Sequence, residues 1–191
     1  MKSEKLGTAT AVKGTMLQAH LAWAREALGE DGLARALATL PAEDAALVGR
    51  GVLATDWVPF ATLVRLDRAI ATAVGGPAEA TYREMGRQSA RANLAGAYKA
   101  FMHDELHRFF ENIGRLHSRF QNFGQCTYEH TGERSCRLRY DGYENYSPVF
   151  CASAVGYFEG ALEAMRAPRP SVREPSCQCA GDASCVFDLA W

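Results

Sequence analysis

The side chains with the most chemistry to offer are thiols. The chain has six cysteines, and all of them fall in residues 101–191. Cys177, Cys179 and Cys185 flank a stretch, Ala180-Gly181-Asp182, that reads as a tight turn. A hairpin there brings two or three thiols within a few Å of one another. Clustered thiols in a reducing compartment are more often metal ligands or redox groups than disulfides. Zinc takes four ligands in a tetrahedron, drawn from thiolate, imidazole and carboxylate. The hairpin can supply Cys177 and Cys185, and Glu174 lies just upstream on the same strand. A fourth ligand has to come from elsewhere, and Cys151 is suited to it. It sits in the first turn of a helix, where unpaired N–H groups and the helix dipole favour a thiolate. The alternative is a set of buried free thiols behaving as small hydrophobes. Cys179 is left as a spare ligand or a partly exposed thiol. Cys126 and Cys136 are expected to lie opposite each other across an earlier hairpin, as two ordinary sheet cysteines or a reversible disulfide.

The elements that must position these groups follow from periodicity. Residues 1–100 hold 24 alanines and five aromatics, whereas residues 101–191 hold eight alanines and fourteen aromatics. The first half therefore reads as helical and the second as mixed, within one domain spanning 14–191 behind a flexible tail, 1–13. Leu17, Leu21, Ala24 and Leu28 form one helical stripe that Gly29 ends, and Asp31 caps a second short helix. Pro59 opens a helix with Phe60, Leu63, Val64, Asp67, Ile70 and Val74 on one face, closed by Gly75-Gly76. The next helix presents Met85/Gly86, Ser89 and Ala92/Asn93, a face small enough for close helix contact. Leu106, Phe109, Phe110, Ile113, Leu116 and Phe120 give the clearest amphipathic pattern. Two strands, Gln125–His130 and Arg134–Tyr140, follow around Thr131-Gly132. A helix from Ser147-Pro148 to about Arg166 precedes a closing hairpin over 171–178 and 184–191. Its second stripe, Ala152, Gly156, Gly160 and Ala164, could seat it on the sheet or pair two subunits. Short hairpins make antiparallel pairs, so the expected fold is α+β, with the N-terminal helices packed on a four-stranded antiparallel sheet.

The spacing Cys151, Glu174, Cys177, Cys185 (steps of 23, 3 and 8), with the surrounding VFCASAVGYFEGALEA and REPSCQCAGDASCVFDLAW, resembles the 4-vinyl reductase domain family over about residues 100–191. That family shares its fold with the haem-NO-binding domains and the TRAPP trafficking subunits. The resemblance implies a structural zinc on these four residues and a tendency to dimerise. It also implies, as in sensory domains of bacterial activators, a pocket for a phenol or other aromatic molecule. The N-terminal half, through Val12-Lys13-Gly14 and Met85-Gly86-Arg87, resembles an uncharacterised paralogous family of myxobacteria. By position relative to Cys151, His103 and His130 fall near the two polar pocket residues of the sensory relatives, although His130 stands where they have a Trp. With Phe109, Phe110, Tyr157 and Phe158, they form the expected ligand-binding set. The other reading of those aromatics is plain core packing. His103 and His107, four apart, could also serve a metal or a haem. The Tyr-x-Ser-x-Arg motif of the related haem domains is missing, which argues against haem.

The sequence thus points to a cytoplasmic sensor or regulatory module that binds a small apolar or aromatic ligand and carries a structural zinc. It would act as a homodimer or through a separate output protein. A dimeric scaffold without ligand and an enzyme acting on a tetrapyrrole are the rivals. With 21 basic and 22 acidic residues there is no strong electrostatic footprint for nucleic acid, and no apolar run is long enough for a membrane span. The N-terminus has no signal-peptide core. The sequence has no phosphate-binding loop, dinucleotide fingerprint or nucleophile elbow, so no catalytic residue is assigned and an enzyme is disfavoured.

Overall fold

Local sequence marks where several of the helices begin or end. In a computed structural model of the chain, residues 3–7, 9–95 and 105–191 are described. Strand β1 (Ala11–Lys13) runs into helix α1 (Gly14–Leu37), which breaks from helical backbone at Gly29 (φ 68°) and then resumes. A short helix α2 (Ala42–Gly49) and strand β2 (Trp57–Pro59) lead into α3 (Phe60–Val74). Gly75 closes α3 at φ 79°, a conformation that glycine adopts without the steric cost a Cβ brings. Then come α4 (Ala78–Ala95) and α5 (Leu106–Leu116). The second half continues with β3 (Gln125–Gly132), β4 (Ser135–Asp141), α6 (Pro148–Ala164), β5 (Ser171–Ser176) and β6 (Cys185–Ala190). Helix α6 starts as a capped helix should: the Ser147 hydroxyl accepts from the Val149 N–H at 3.3 Å, and Pro148 takes the first helical position.

The expected α+β class is what the structure has. Its main sheet is antiparallel, in the order β3-β4-β6-β5. One apolar core lies between this sheet and α4, α5 and α6, built on Phe110, Leu138, Phe158, Leu162, Phe187 and Leu189. A second core joins α1, α3 and α4 through Leu17, Phe60, Leu63, Leu66, Ile70 and Met85. Tyr140 packs against both.

Three local expectations change. The stretch read as a loose tail is tied down where it is described. Lys5 bridges Tyr146, β1 pairs with β2 through Val12 and Val58, and Val12 is fully buried. The first hairpin turns at Glu133-Arg134, because Thr131 and Gly132 stay in the strand. Cys126 therefore faces Tyr140 and Cys136 faces His130, which rules out a disulfide between the two cysteines. The small-residue stripe of α6 seats neither sheet nor second subunit but α4. A Cβ on Gly86 would run into the Ser153 carbonyl, and one on Gly156 into the Arg83 carbonyl. At Gly160 a Cβ would stand 2.6 Å from the Arg87 carbonyl oxygen. The two helices touch backbone to backbone, and arginines and glutamates line the seam. Arg83 pairs with Glu159, Arg87 with Glu159 at 2.7 Å, and Arg91 with Glu163 at 3.0 Å.

Candidate functional site

The last hairpin folds back onto the first turn of α6 and gathers the thiols. Gly181 takes φ 102° in the turn, and the Asp182 carboxylate accepts the Cys177 N–H at 2.7 Å. The ligand atoms of Cys151, Glu174, Cys177 and Cys185 all come within 4.8 Å of one another. The Cys151 sulfur lies 3.8 Å from both Cys177 and Cys185, and 3.9 Å from Cys179. All four cysteines are buried. Contact with Cys177, then with Cys179 and Cys185, pushes the Cys151 thiol up, while contact with Cys151 holds Cys177 low. This arrangement can share protons or bind a cation.

Between α1, α4, α5, α6 and the sheet lies a cavity of about 160 Å³. Its wall is largely aromatic and aliphatic, with Met16, Leu63, Phe109, Ile113, Phe150, Tyr157 and Phe158 prominent. The polar wall residues fall into two kinds. Some are paired. His20 and Asp67, both buried, meet Nδ1 to Oδ1 at 2.7 Å. Tyr143 donates to Gln121 at 2.6 Å, so His117, whose Nε2 lies 2.5 Å from the same phenol oxygen, must carry its proton on Nε2. Burial lowers the His117 pKa below its usual value and lifts that of Tyr143 well above the phenol range. Two atoms are unpaired: Ser89 Oγ and Gln178 Oε1 are buried and have no hydrogen-bond partner among the described residues. Buried hydroxyls and amides are nearly always satisfied, so two unmet polar atoms on residues lining one cavity are informative.

The residues expected to bind a ligand separate here. Phe109, Tyr157 and Phe158 line the cavity. Phe110 is fully buried in the core and stacks with Trp191. His130 lies elsewhere, stacked 4.1 Å from His107 on the outer side of α5, where His107 also meets Tyr128 at 2.6 Å. His103 is outside the described residues. Sequence reasoning passed over His20, Ser89 and Gln178. A signal for the first existed: Asp67 in an otherwise apolar stripe requires a buried partner, and His20, three residues after Leu17, faces the same way.

Fold and site together define an α+β protein with a cavity between its helices and its sheet. No family model and no curated protein matches the chain. Solved structures do match, and they are H-NOX domains. One is an H-NOX protein from S. oneidensis in the Fe(II)NO ligation state, 14% identical, with a TM-score of 0.72 over 93% of this chain and 97% of that one. Another is an oxygen-binding H-NOX domain related to soluble guanylate cyclases, also 14% identical, with a TM-score of 0.68 over 93% and 94%. A third, from K. algicida, is 8% identical with a TM-score of 0.70 over 93% and 95%. The fold is thus that of the H-NOX domains.

Two expectations are corrected by this finding. The resemblances to the 4-vinyl reductase family and to the myxobacterial family are not sustained, because no family model matches and the matching structures are H-NOX domains. The structural zinc falls with them. The matching H-NOX structures are described in terms of heme and porphyrin, and the cysteine cluster is the one feature that pointed to zinc.

The haem that this fold implies does not fit the described residues. A cavity of about 160 Å³ is close to the roughly 150 Å³ that encloses one benzene, and a porphyrin joins four pyrrole rings around its iron. Helices α4 and α6 leave no slot between them for a planar macrocycle, because their backbones touch at Gly86 and Gly156. The histidines on the described wall, His20 and His117, each have a ring nitrogen committed to a neighbouring side chain. No lysine or arginine stands among the described lining residues to meet the carboxylates of a haem.

Proposed function

We propose that this chain is a small-molecule sensor or regulatory module whose ligand occupies the interior cavity, a compact apolar or aromatic molecule about one ring in size. The unpartnered Ser89 hydroxyl inside an aromatic-lined cavity carries the reading. A filled core has no reason to hold an unsatisfied hydroxyl, which costs about 1–3 kcal/mol. A ligand that supplies the partner removes the cost. Likeness in fold to domains described as binding nitric oxide, carbon monoxide or oxygen supports the sensing role. Filling the cavity would tighten α1 and α4 against α5 and α6, and a homodimer face or a separate output protein would read the change.

The four donors Cys151, Glu174, Cys177 and Cys185 serve, in this proposal, as ligands of a metal ion whose identity is left open. The ion would pin the closing hairpin to α6 and so hold one wall of the cavity. Elemental analysis of the purified chain beside Cys177→Ser tests this. The expected result is a stoichiometric metal in the parent and its loss in the variant. A metal-free, fully folded parent overturns it.

The ligand reading is tested by thermal melts of the purified chain with a panel of one-ring compounds, beside a titration with haemin. Saturable stabilisation by ring compounds, with no stoichiometric haem spectrum, is expected. One-to-one haem binding with a sharp Soret band and an iron-ligated spectrum would overturn the reading and restore a haem-borne sensor.

A further inference from the structure

We infer that Ser89, together with His20 and Gln178, which line the same cavity, forms a polar anchor that selects a neutral one-ring ligand carrying a hydroxyl or amide N–H. The inference rests on the cavity being the ligand site. It goes further by naming which residues read the ligand and what they require of it.

Charge excludes ions. Among the described lining residues none is a lysine or arginine, so a carboxylate or phosphate would enter an apolar interior without a counter-charge. No aspartate or glutamate stands among the described lining residues either, so a cation would find no counter-charge there. The polar atoms left over define the complement. Ser89 Oγ, on a residue only 4% exposed, can donate and accept. Gln178 Oε1 accepts only, since its amide nitrogen already donates to the Tyr143 carbonyl at 3.2 Å. His20 has Nδ1 held by Asp67, which fixes the ring and leaves only Nε2 for a guest. An unpaired hydroxyl and an accepting amide oxygen are best met by a ligand O–H or N–H. A pure hydrocarbon leaves Ser89 and Gln178 as unsatisfied as they are in the empty cavity.

The experiment is calorimetric titration of the full chain with three molecules of similar size: benzyl alcohol, toluene and benzoate. Benzyl alcohol is expected to bind about tenfold or more tightly than toluene, the effect of one buried hydrogen bond, and benzoate not measurably. In Ser89→Ala, the preference for benzyl alcohol over toluene should collapse while toluene still binds. Equal affinity for the two in the parent protein, or a preference unchanged in Ser89→Ala, overturns the anchor and leaves the cavity reading standing. Failure of all three to bind folded protein overturns both. The comparison within the parent protein decides the matter even if the variant folds poorly.

Discussion

Asp67 Oδ1 lies 2.7 Å from His20 Nδ1, with the two side chains 1% and 4% exposed. This pair crosses from α3 to α1 through the interior of the second core. Removing one partner of a buried pair strands the other in a medium that cannot solvate it. Asp67→Ala should therefore lower stability by about 3–5 kcal/mol, read by urea denaturation. Asp67→Asn, which keeps the shape and one acceptor, should lose clearly less. Equal losses in the two variants would mean that packing, not the pair, sets the cost.

The α4–α6 seam depends on missing side chains. A Cβ at Gly156 meets the Arg83 carbonyl, which is backbone and has no rotamer to move. Gly156→Ala should cost about 1–3 kcal/mol through forced separation of the helices, despite alanine's better helix propensity. The control is Gly49→Ala, at a site where a Cβ meets nothing within 4 Å, which should be close to neutral. A stabilised Gly156→Ala protein would show that the helices do not touch there.

His117 gives the protein a defined acid sensitivity. Burial lowers its pKa below the ordinary 6.5. Between that lowered value and 6.5 the unfolded chain therefore holds more protons than the folded one, and stability rises with pH. The contribution is fully present above 6.5 and is lost as pH falls through the folded value. Melting temperatures from pH 8 to pH 5 should fall less steeply in His117→Gln than in the parent. Parallel curves would remove His117 as the source.

Thiol reactivity should separate the sheet cysteines from an unfolded reference. Burial pushes Cys126 up to about 11 and Cys136 up to about 12. The thiolate is the nucleophile, so Cys136 near pH 8 should alkylate about a thousandfold more slowly than in denaturant. Iodoacetamide labelling followed by peptide mass analysis gives the rate. Fast native labelling of Cys136 would contradict its burial beneath β4.

Much of this architecture was legible in the residues. The three-four spacing from Leu106 to Leu116 and the cap Ser147-Pro148 fixed where helices lie. Alternation in Cys136, Leu138 and Tyr140 fixed a strand with one buried face, because each side chain of a strand points opposite to the last. The closing turn at Gly181 was visible too, and with it the convergence of Cys177 and Cys185. The first hairpin was not, since Thr131-Gly132 and Glu133-Arg134 both make acceptable turns. Moving the turn by two residues shifted the partner of Cys126 by four, from Cys136 to Tyr140, without changing which face either cysteine occupies.

What the sequence by itself determined, then, is periodic: which residues are helix or strand, which face of each is apolar, and where glycine or proline ends them. Those properties arise from neighbours within a few residues. Tertiary structure alone decided that the small-residue stripe of α6 meets α4 rather than the sheet, that Asp67 finds His20, and that Ser89 is left without a partner beside a cavity. Each depends on elements distant in the chain arriving at one place. A cavity is a property of the space between helices, which no residue's own type or spacing records.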